Sequence, residues 1–98
     1  MSLPWRLLYD LTAVKTLRRL PDPVRERTEL RIASILLDLY DPGVTMAPSP
    51  YGMIGSLWTV DRIFIVYVAI TRHARWNQPV ILIANLITED EFLDSLLG

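Results

Sequence analysis

Apolar residues recur along this chain with two different periods, and the points where the period changes mark its elements. The stretch Gly55 to Ile70 reads as a β-hairpin. Leu57-Trp58-Thr59-Val60 and Ile63 to Ile70 are rich in β-branched and aromatic residues, and the polar pair Asp61-Arg62 between them marks the turn. The second run is apolar at both parities. Phe64, Val66, Val68 and Ile70 form one face, and Ile63, Ile65, Tyr67 and Ala69 the other. A strand that is apolar on both sides requires cover on both.

Upstream, Trp5 to Tyr9 reads as an opening strand. Asp10 or Thr12 then caps a helix in which Ala13/Val14, Leu17 and Leu20 recur at helical spacing. Pro21-Asp22-Pro23 breaks that helix, with Asp22 as the expected N-cap and Pro23 as the first residue of the next. The second helix is predicted from Val24 to about Tyr40, its apolar side carrying Val24, Ile32, Ile35, Leu36 and Leu39. Asp41-Pro42-Gly43 stops it, and residues 44 to 54 read as a chargeless loop. After the hairpin, Thr71 to Pro79 is polar and Val80 to Ile87 is a further strand. Thr88, with Glu91 three residues later, forms a capping box that opens a short C-terminal helix bearing Phe92, Leu93, Leu96 and Leu97. The expected architecture is a single α+β domain over residues 1–98: an N-terminal strand, a helical hairpin on one face of a small antiparallel β-sheet, and a short C-terminal helix. The second sheet face has no evident cover unless the C-terminal segment folds over it. A partner, a second copy or a ligand is expected there.

Composition narrows the function classes. The chain has 98 residues, 51% of them hydrophobic, and a net charge of -1, so a disordered chain and a globally basic nucleic-acid binder are both disfavoured. With no cysteine, disulfides, thiolate metal sites and a cysteine nucleophile are excluded. No metal-ligand spacing and no glycine-rich phosphate loop is present, so neither metal nor cofactor is expected. The longest apolar run, Ile63 to Ile70, is far short of the ~20 residues of a membrane helix, and no signal-peptide pattern opens the chain. These features predict a cytoplasmic protein without a membrane association.

Charged side chains cluster in three places. Arg72, His73 and Arg75, with Trp76 beside them, are the densest cationic group near the predicted sheet. Their functional reading is an RNA-contacting cluster: cations on phosphate, His73 as acid or base, Trp76 stacking on a base. Their plain reading is a solvated loop. Lys15, Arg18 and Arg19, with Arg25, Arg27 and Arg31, place six of the ten cations on the helical hairpin, as a partner-facing surface or as a solvated helix face. Glu89, Asp90 and Glu91 are explained as charge at a helix N-terminus.

Three stretches carry a resemblance. They are the opening strand and first helix with Ala13, Lys15, Leu17 and Leu20; the link and second helix in LPDPVRERTELRI; and GSLWTV followed by FIVYVAI, with Trp58 and Tyr67. In order and pattern, over roughly residues 5 to 87, the chain resembles the RelE/ParE superfamily of toxins from bacterial type II toxin–antitoxin systems. The resemblance implies growth inhibition, a cognate antitoxin as partner, and one of two targets. One is the ribosome and its mRNA, cut by a metal-independent endoribonuclease that here would use Arg62, Arg72, His73 and Arg75. The other is DNA gyrase, inhibited without cleavage as in the ParE branch. An inactive relative serving as an interaction module, or a homodimer, stays open. The chain departs from the mRNA-cutting members at informative places. Phe64 stands where they commonly carry an arginine, and residues 76 to 98 hold no Lys, Arg, His or Tyr. Cleavage through a 2′-hydroxyl needs a base, an acid and cationic stabilisation of the phosphorane, so these departures weigh against a nuclease, which stays narrowly ahead as the leading reading with the non-catalytic inhibitor as the alternative.

Overall fold

A computed structural model describes residues 5–38, 41, 43–50, 52–71 and 78–97. Its elements, in chain order, are β1 (Arg6–Tyr9), α1 (Leu11–Arg19), α2 (Asp22–Leu37), β2 (Thr45–Ser49), β3 (Gly52–Trp58), β4 (Ile63–Ile70), β5 (Val80–Thr88) and α3 (Glu89–Leu97). The strands make one five-stranded sheet in the order β1-β5-β4-β3-β2. The architecture is α+β, as the periodicity predicts, but the sheet is mixed rather than wholly antiparallel: β1 runs parallel to β5, and the other three pairs are antiparallel. Between β1 and β5 the chain passes through two helices and the three antiparallel strands β2, β3 and β4, a connection long enough for a parallel pair.

The odd face of β4 is the core face. Ile63, Ile65, Tyr67 and Ala69 are buried there with Leu57, Ile81, Ile83 and Leu86, beneath Ala13 of α1 and Ile32 and Ile35 of α2. One position has no bulk of its own. Gly55 lies across from Tyr67 in the β3–β4 register, and the Tyr67 ring occupies the space a Gly55 side chain would need. The Tyr67 hydroxyl donates to the Met46 sulfur on β2 at 3.5 Å. Tyr67 thus spans β4, β3 and β2 under the helices.

Helix boundaries follow the caps, with two corrections. Asp10 caps α1, its carboxylate accepting the Thr12 N–H at 3.0 Å. For α2 the expected N-cap, Asp22, is already helical; Pro21 holds the cap position without a side-chain bond, and Asp22 lies in the first turn, where its charge suits the helix dipole. The helix ends at Leu37 rather than near Tyr40, which lies outside the described residues.

The predicted loop over residues 44 to 54 is the larger error. It contains β2 and the start of β3, paired from Thr45↔Ser56 to Ser49↔Gly52. β2 is an edge strand, where Pro48 is tolerated. Its sequence, TMAPS, has no apolar alternation to reveal it.

The C-terminal capping box is present: the Glu91 N–H donates to the Thr88 hydroxyl at 3.2 Å, and that hydroxyl donates to the Glu91 carboxylate at 3.0 Å. α3 folds over one end of the second sheet face. Phe92 meets Trp58 edge-on at 5.1 Å and Phe64 at 5.8 Å, while Trp58 and Phe64 lie 4.8 Å apart. Leu93, Leu96 and Leu97 are exposed, so Phe92 is the apolar anchor of this helix. Phe92→Ala should free α3 without unfolding the body. Hydrogen exchange of α3 amides should rise to that of a frayed terminus, with a global cost of about 1–2 kcal/mol; retained protection in α3 would refute the anchor. Among the described residues no helix is long and apolar enough to cross a membrane.

Candidate functional site

The even face of β4 is the open face. Val68 lies between Ile54 of β3 and Leu82 of β5, with Leu8 beyond Leu82 and Ala47 beyond Ile54. Val66 lies between Ser56 and Asn85, and Ile70 is beside Val80. Phe64 pairs with Trp58 and Ile87 at the end that α3 covers. The row through Val68 is therefore aliphatic from edge to edge. Phe64, Val66, Val68 and Ile70 are each only partly buried, whereas their odd-numbered neighbours are fully buried. This face is the feature the double apolar parity of β4 announces: α1 and α2 cover one side, while on the other α3 covers the Phe64 end, Val80 beside Ile70 is buried, and Val66 and Val68 stay partly exposed.

A β-bulge lies on β5. The register passes from Val66↔Asn85 to Tyr67↔Ile83 and leaves Ala84 without a counterpart. Beyond this point β1 has ended, and the Asn85 side chain itself accepts the Leu86 N–H at 2.9 Å. The exposed rim of β5 thus meets a side chain of its own.

Arg62 stands at the tip of the β3–β4 hairpin. Thr59 N–H donates to the Ile63 carbonyl at 2.9 Å, and Arg62 N–H donates to the Thr59 carbonyl at 3.0 Å. These bonds close a three-residue loop whose last position is left-handed, and Arg62 occupies it with φ 62°. Asp61, the residue better suited to positive φ, does not take that position. The Arg62 side chain is engaged: its Nε donates to Glu89 at 2.6 Å, and its guanidinium lies 5.0 Å from the centre of the Trp58 ring. The predicted catalytic arginine therefore ties the hairpin tip to the start of α3.

Arg72, His73, Arg75 and Trp76 lie outside the described residues. The residues that bracket them, Thr71 and Gln78, follow β4 and precede β5 at the end of the sheet away from Arg62. β4 is eight residues long, about 24 Å at 3.4 Å per residue. Arg62 and Thr71 therefore stand at opposite ends of β4.

Lys15, Arg18 and Arg19 line a groove of about 580 Å³ between α1, the rim of β5 and α3, with Thr12, Thr16, Asn85 and Glu91. Arg19 is held there by Glu91 at 3.5 Å and donates to the Thr16 hydroxyl at 3.3 Å. Three residues at helical spacing on the exposed side of α1 thus share one groove, and Glu91 offsets part of their charge. On α2, Arg25 meets Asp22 at 3.0 Å and Glu29 at 3.8 Å, and Arg31 reaches Asp41 at 3.5 Å.

One ion pair escapes sequence reasoning because 34 residues separate its partners. Arg27 grips Asp61 in a two-pronged contact, Nε and Nη2 each donating at 2.8 Å. It joins α2 to the hairpin turn. Beside it a cleft of about 380 Å³ is lined by Leu30, Ser34, Trp58 and Val60. The Arg27 hydrogen bonds hold the Asp61 carboxyl below its ordinary value of 3.8. A carboxyl with a lowered folded-state pKa contributes stability that is complete above the unfolded value and is lost as the pH falls through the folded one. Unfolding followed across the acid range should therefore show a loss of stability beginning below about pH 4–5 that is smaller in Arg27→Ala. An identical acid profile in the variant would refute the pair's contribution. Among the described residues no group of three or more His, Asp or Glu is placed to hold a metal ion.

Comparison with known proteins gives one informative result. No protein-family model matches the chain, and no curated protein matches it. Among solved structures, the crystal structure of an archaeal RelE–RelB complex from Pyrococcus horikoshii OT3 contains a chain similar to this one. The TM-score is 0.66 over 85% of this chain and 92% of that one, at 16% sequence identity. The fold is therefore RelE-like, at low sequence identity.

Proposed function

We propose that this chain is the toxin-like member of a type II toxin–antitoxin pair and that it acts on its target by binding rather than by cutting RNA. The observation that carries the second half is the open sheet face. Where the mRNA-cutting members of the resembling family present basic residues, this face presents Phe64, Val66, Val68 and Ile70, flanked by Ile54 and Leu82. Aliphatic side chains supply neither proton transfer nor charge to a phosphorane. They do supply a surface on which an apolar segment of an antitoxin can lie. The RelE-like fold supports the first half, since the similar structure is itself a complex of RelE with RelB.

The α1 cations fit the same picture as a second contact. An antitoxin segment carrying carboxylates beside its apolar residues would meet Lys15, Arg18 and Arg19, which would steer its approach more than hold it. DNA gyrase is the target that the ParE resemblance offers for a member that does not cut.

The test is expression of the chain alone in a bacterial host, with labelled amino acid and thymidine incorporation followed over the first minutes. Early failure of DNA synthesis, with intact mRNA, is the expected result. Early failure of protein synthesis with new mRNA ends, lost on Ala replacement of Arg72, His73 and Arg75, would overturn it in favour of a ribosome-dependent endoribonuclease. Undisturbed growth with well-folded protein would remove the toxin role altogether.

A further inference from the structure

The cations of α1 and α2 are paired, with two exceptions. Arg19 meets Glu91, Arg25 meets Asp22 and Glu29, Arg27 meets Asp61, and Arg31 meets Asp41. Lys15 and Arg18 have no carboxylate within ion-pair distance among the described residues. Both are exposed, and both line the groove of about 580 Å³ between α1, the rim of β5 and α3. Arg18 lies in the last turn of α1, where a cation suits the helix dipole. Lys15 lies a turn earlier and has no such reason to be there.

The rest of the groove adds a donor and a boundary. Asn85 follows the β-bulge, and its Oδ1 is taken by the Leu86 N–H at 2.9 Å, which leaves the amide hydrogens of Nδ2 to donate. The lining carboxylate, Glu91, is already bound to Arg19 at 3.5 Å and to the Thr88 hydroxyl at 3.0 Å. Arg19, Glu91 and the buried Thr16 also line a second hollow, of about 350 Å³, that continues toward Leu20 and Thr88. The Arg19–Glu91 pair thus stands between the two hollows and closes the groove at that end.

Two uncommitted cations and an amide donor fit a group with two negative charges and several acceptor oxygens. A phosphate monoester carries about −1.5 to −2 charges at neutral pH and three acceptor oxygens. A guanidinium meets it with two parallel bonds, and an ammonium as a point charge. A carboxylate brings a single charge. So does each phosphodiester of a nucleic acid, whose strand also needs a continuous track and aromatic platforms for its bases. This groove is closed at one end, and no aromatic residue lines it among the described residues. Its volume is that of a site for a small molecule.

We propose that the groove between α1 and α3 binds a small phosphate monoester, with Lys15 and Arg18 on the phosphate oxygens and Asn85 donating a third contact. The inference does not rest on the toxin reading, and the chain alone suffices to test it.

The test is a titration of the isotope-labelled chain with methyl phosphate, the simplest monoester, at constant ionic strength, followed by amide chemical shifts. The shifts should saturate with a dissociation constant of about 1 mM and be confined to the neighbourhood of Lys15, Arg18, Arg19 and Asn85. Acetate and dimethyl phosphate, each with one charge, should bind about tenfold more weakly or worse. Lys15→Ala and Arg18→Ala, at exposed positions that leave the fold intact, should each weaken methyl phosphate about tenfold. Asn85→Asp keeps an acceptor for the Leu86 N–H but sets a negative charge where the donor was, and should weaken binding about 100-fold. Arg25→Ala on α2, outside the groove, should change nothing. Shifts that do not saturate overturn the proposal, as does binding indifferent to both Lys15→Ala and Asn85→Asp. Acetate binding as well as methyl phosphate would replace the monoester with an acidic peptide. Dimethyl phosphate binding equally well, with a single-stranded oligoribonucleotide tighter than either, would replace it with a nucleic-acid backbone.

Discussion

Replacing Gly55 by alanine should cost the fold about 3 kcal/mol or more, a large share of the 5–15 kcal/mol typical of a domain this size. The added methyl group would overlap Cζ, Cε1 and the hydroxyl of Tyr67. Tyr67 has no exposed surface and sits on the central strand of the sheet, so its ring cannot swing into solvent. The conflict must be relieved by parting β3 from β4 or by expelling the ring from the core. Either outcome removes packing from Ile65, Ile83 and Met46 as well. Chemical denaturation of the two chains gives the difference directly. A second background identifies the cause: with Tyr67→Ala already present, Gly55→Ala should cost less than about 1 kcal/mol, since the space is then vacant. Equal costs in both backgrounds would show that the steric conflict with Tyr67 is not the reason glycine is required.

Under the proposed toxin–antitoxin reading, Val68→Glu should leave the chain folded and weaken binding to a co-purifying antitoxin about 100-fold or more. Val68 is central on the open face, between Ile54 and Leu82, and is only partly buried in the free chain. A carboxylate there stays solvated until a partner lies over it. On binding it is desolvated among aliphatic side chains with no cation in register beside it, and that is the costly step. Titration calorimetry with the antitoxin recovered alongside the unmodified chain measures the loss. Lys15→Glu provides the contrast: in the proposed reading α1 contributes only charge at the margin, so its effect should be near tenfold and should fade with salt. Unaltered affinity in Val68→Glu would place the antitoxin elsewhere.

The two predictions test different layers of one feature, the alternation along β4. Its odd positions bury beneath the helices and demand Gly55 opposite Tyr67. Its even positions remain only partly buried on the other face. Helix α3 shortens that surface at one end through Phe92, and the contacts of Arg62 with Glu89 and Trp58 hold α3 in place.

Much of this was legible in the sequence because it depends on local period and local caps. The two helices, the β3–β4 hairpin, the capping box at Thr88 and the double apolar parity of β4 are each written within a few consecutive residues. So is the likeness to the RelE order of elements, and the fold is RelE-like. Other features were decided only in three dimensions. β2 has no alternation of its own and is a strand because β3 lends it a partner; its pairing energy lies outside its sequence. The parallel alliance of β1 with β5 joins segments more than seventy residues apart, and no local signal encodes which edge β1 takes. The Arg27–Asp61 pair, the engagement of Arg62 and its separation from Thr71 by the length of β4 follow from strand direction and helix placement. Side-chain period states which residues want burial. Only packing states which of them are granted it, and here it left the even positions of β4 partly buried and Leu30 and Leu37 of α2 exposed.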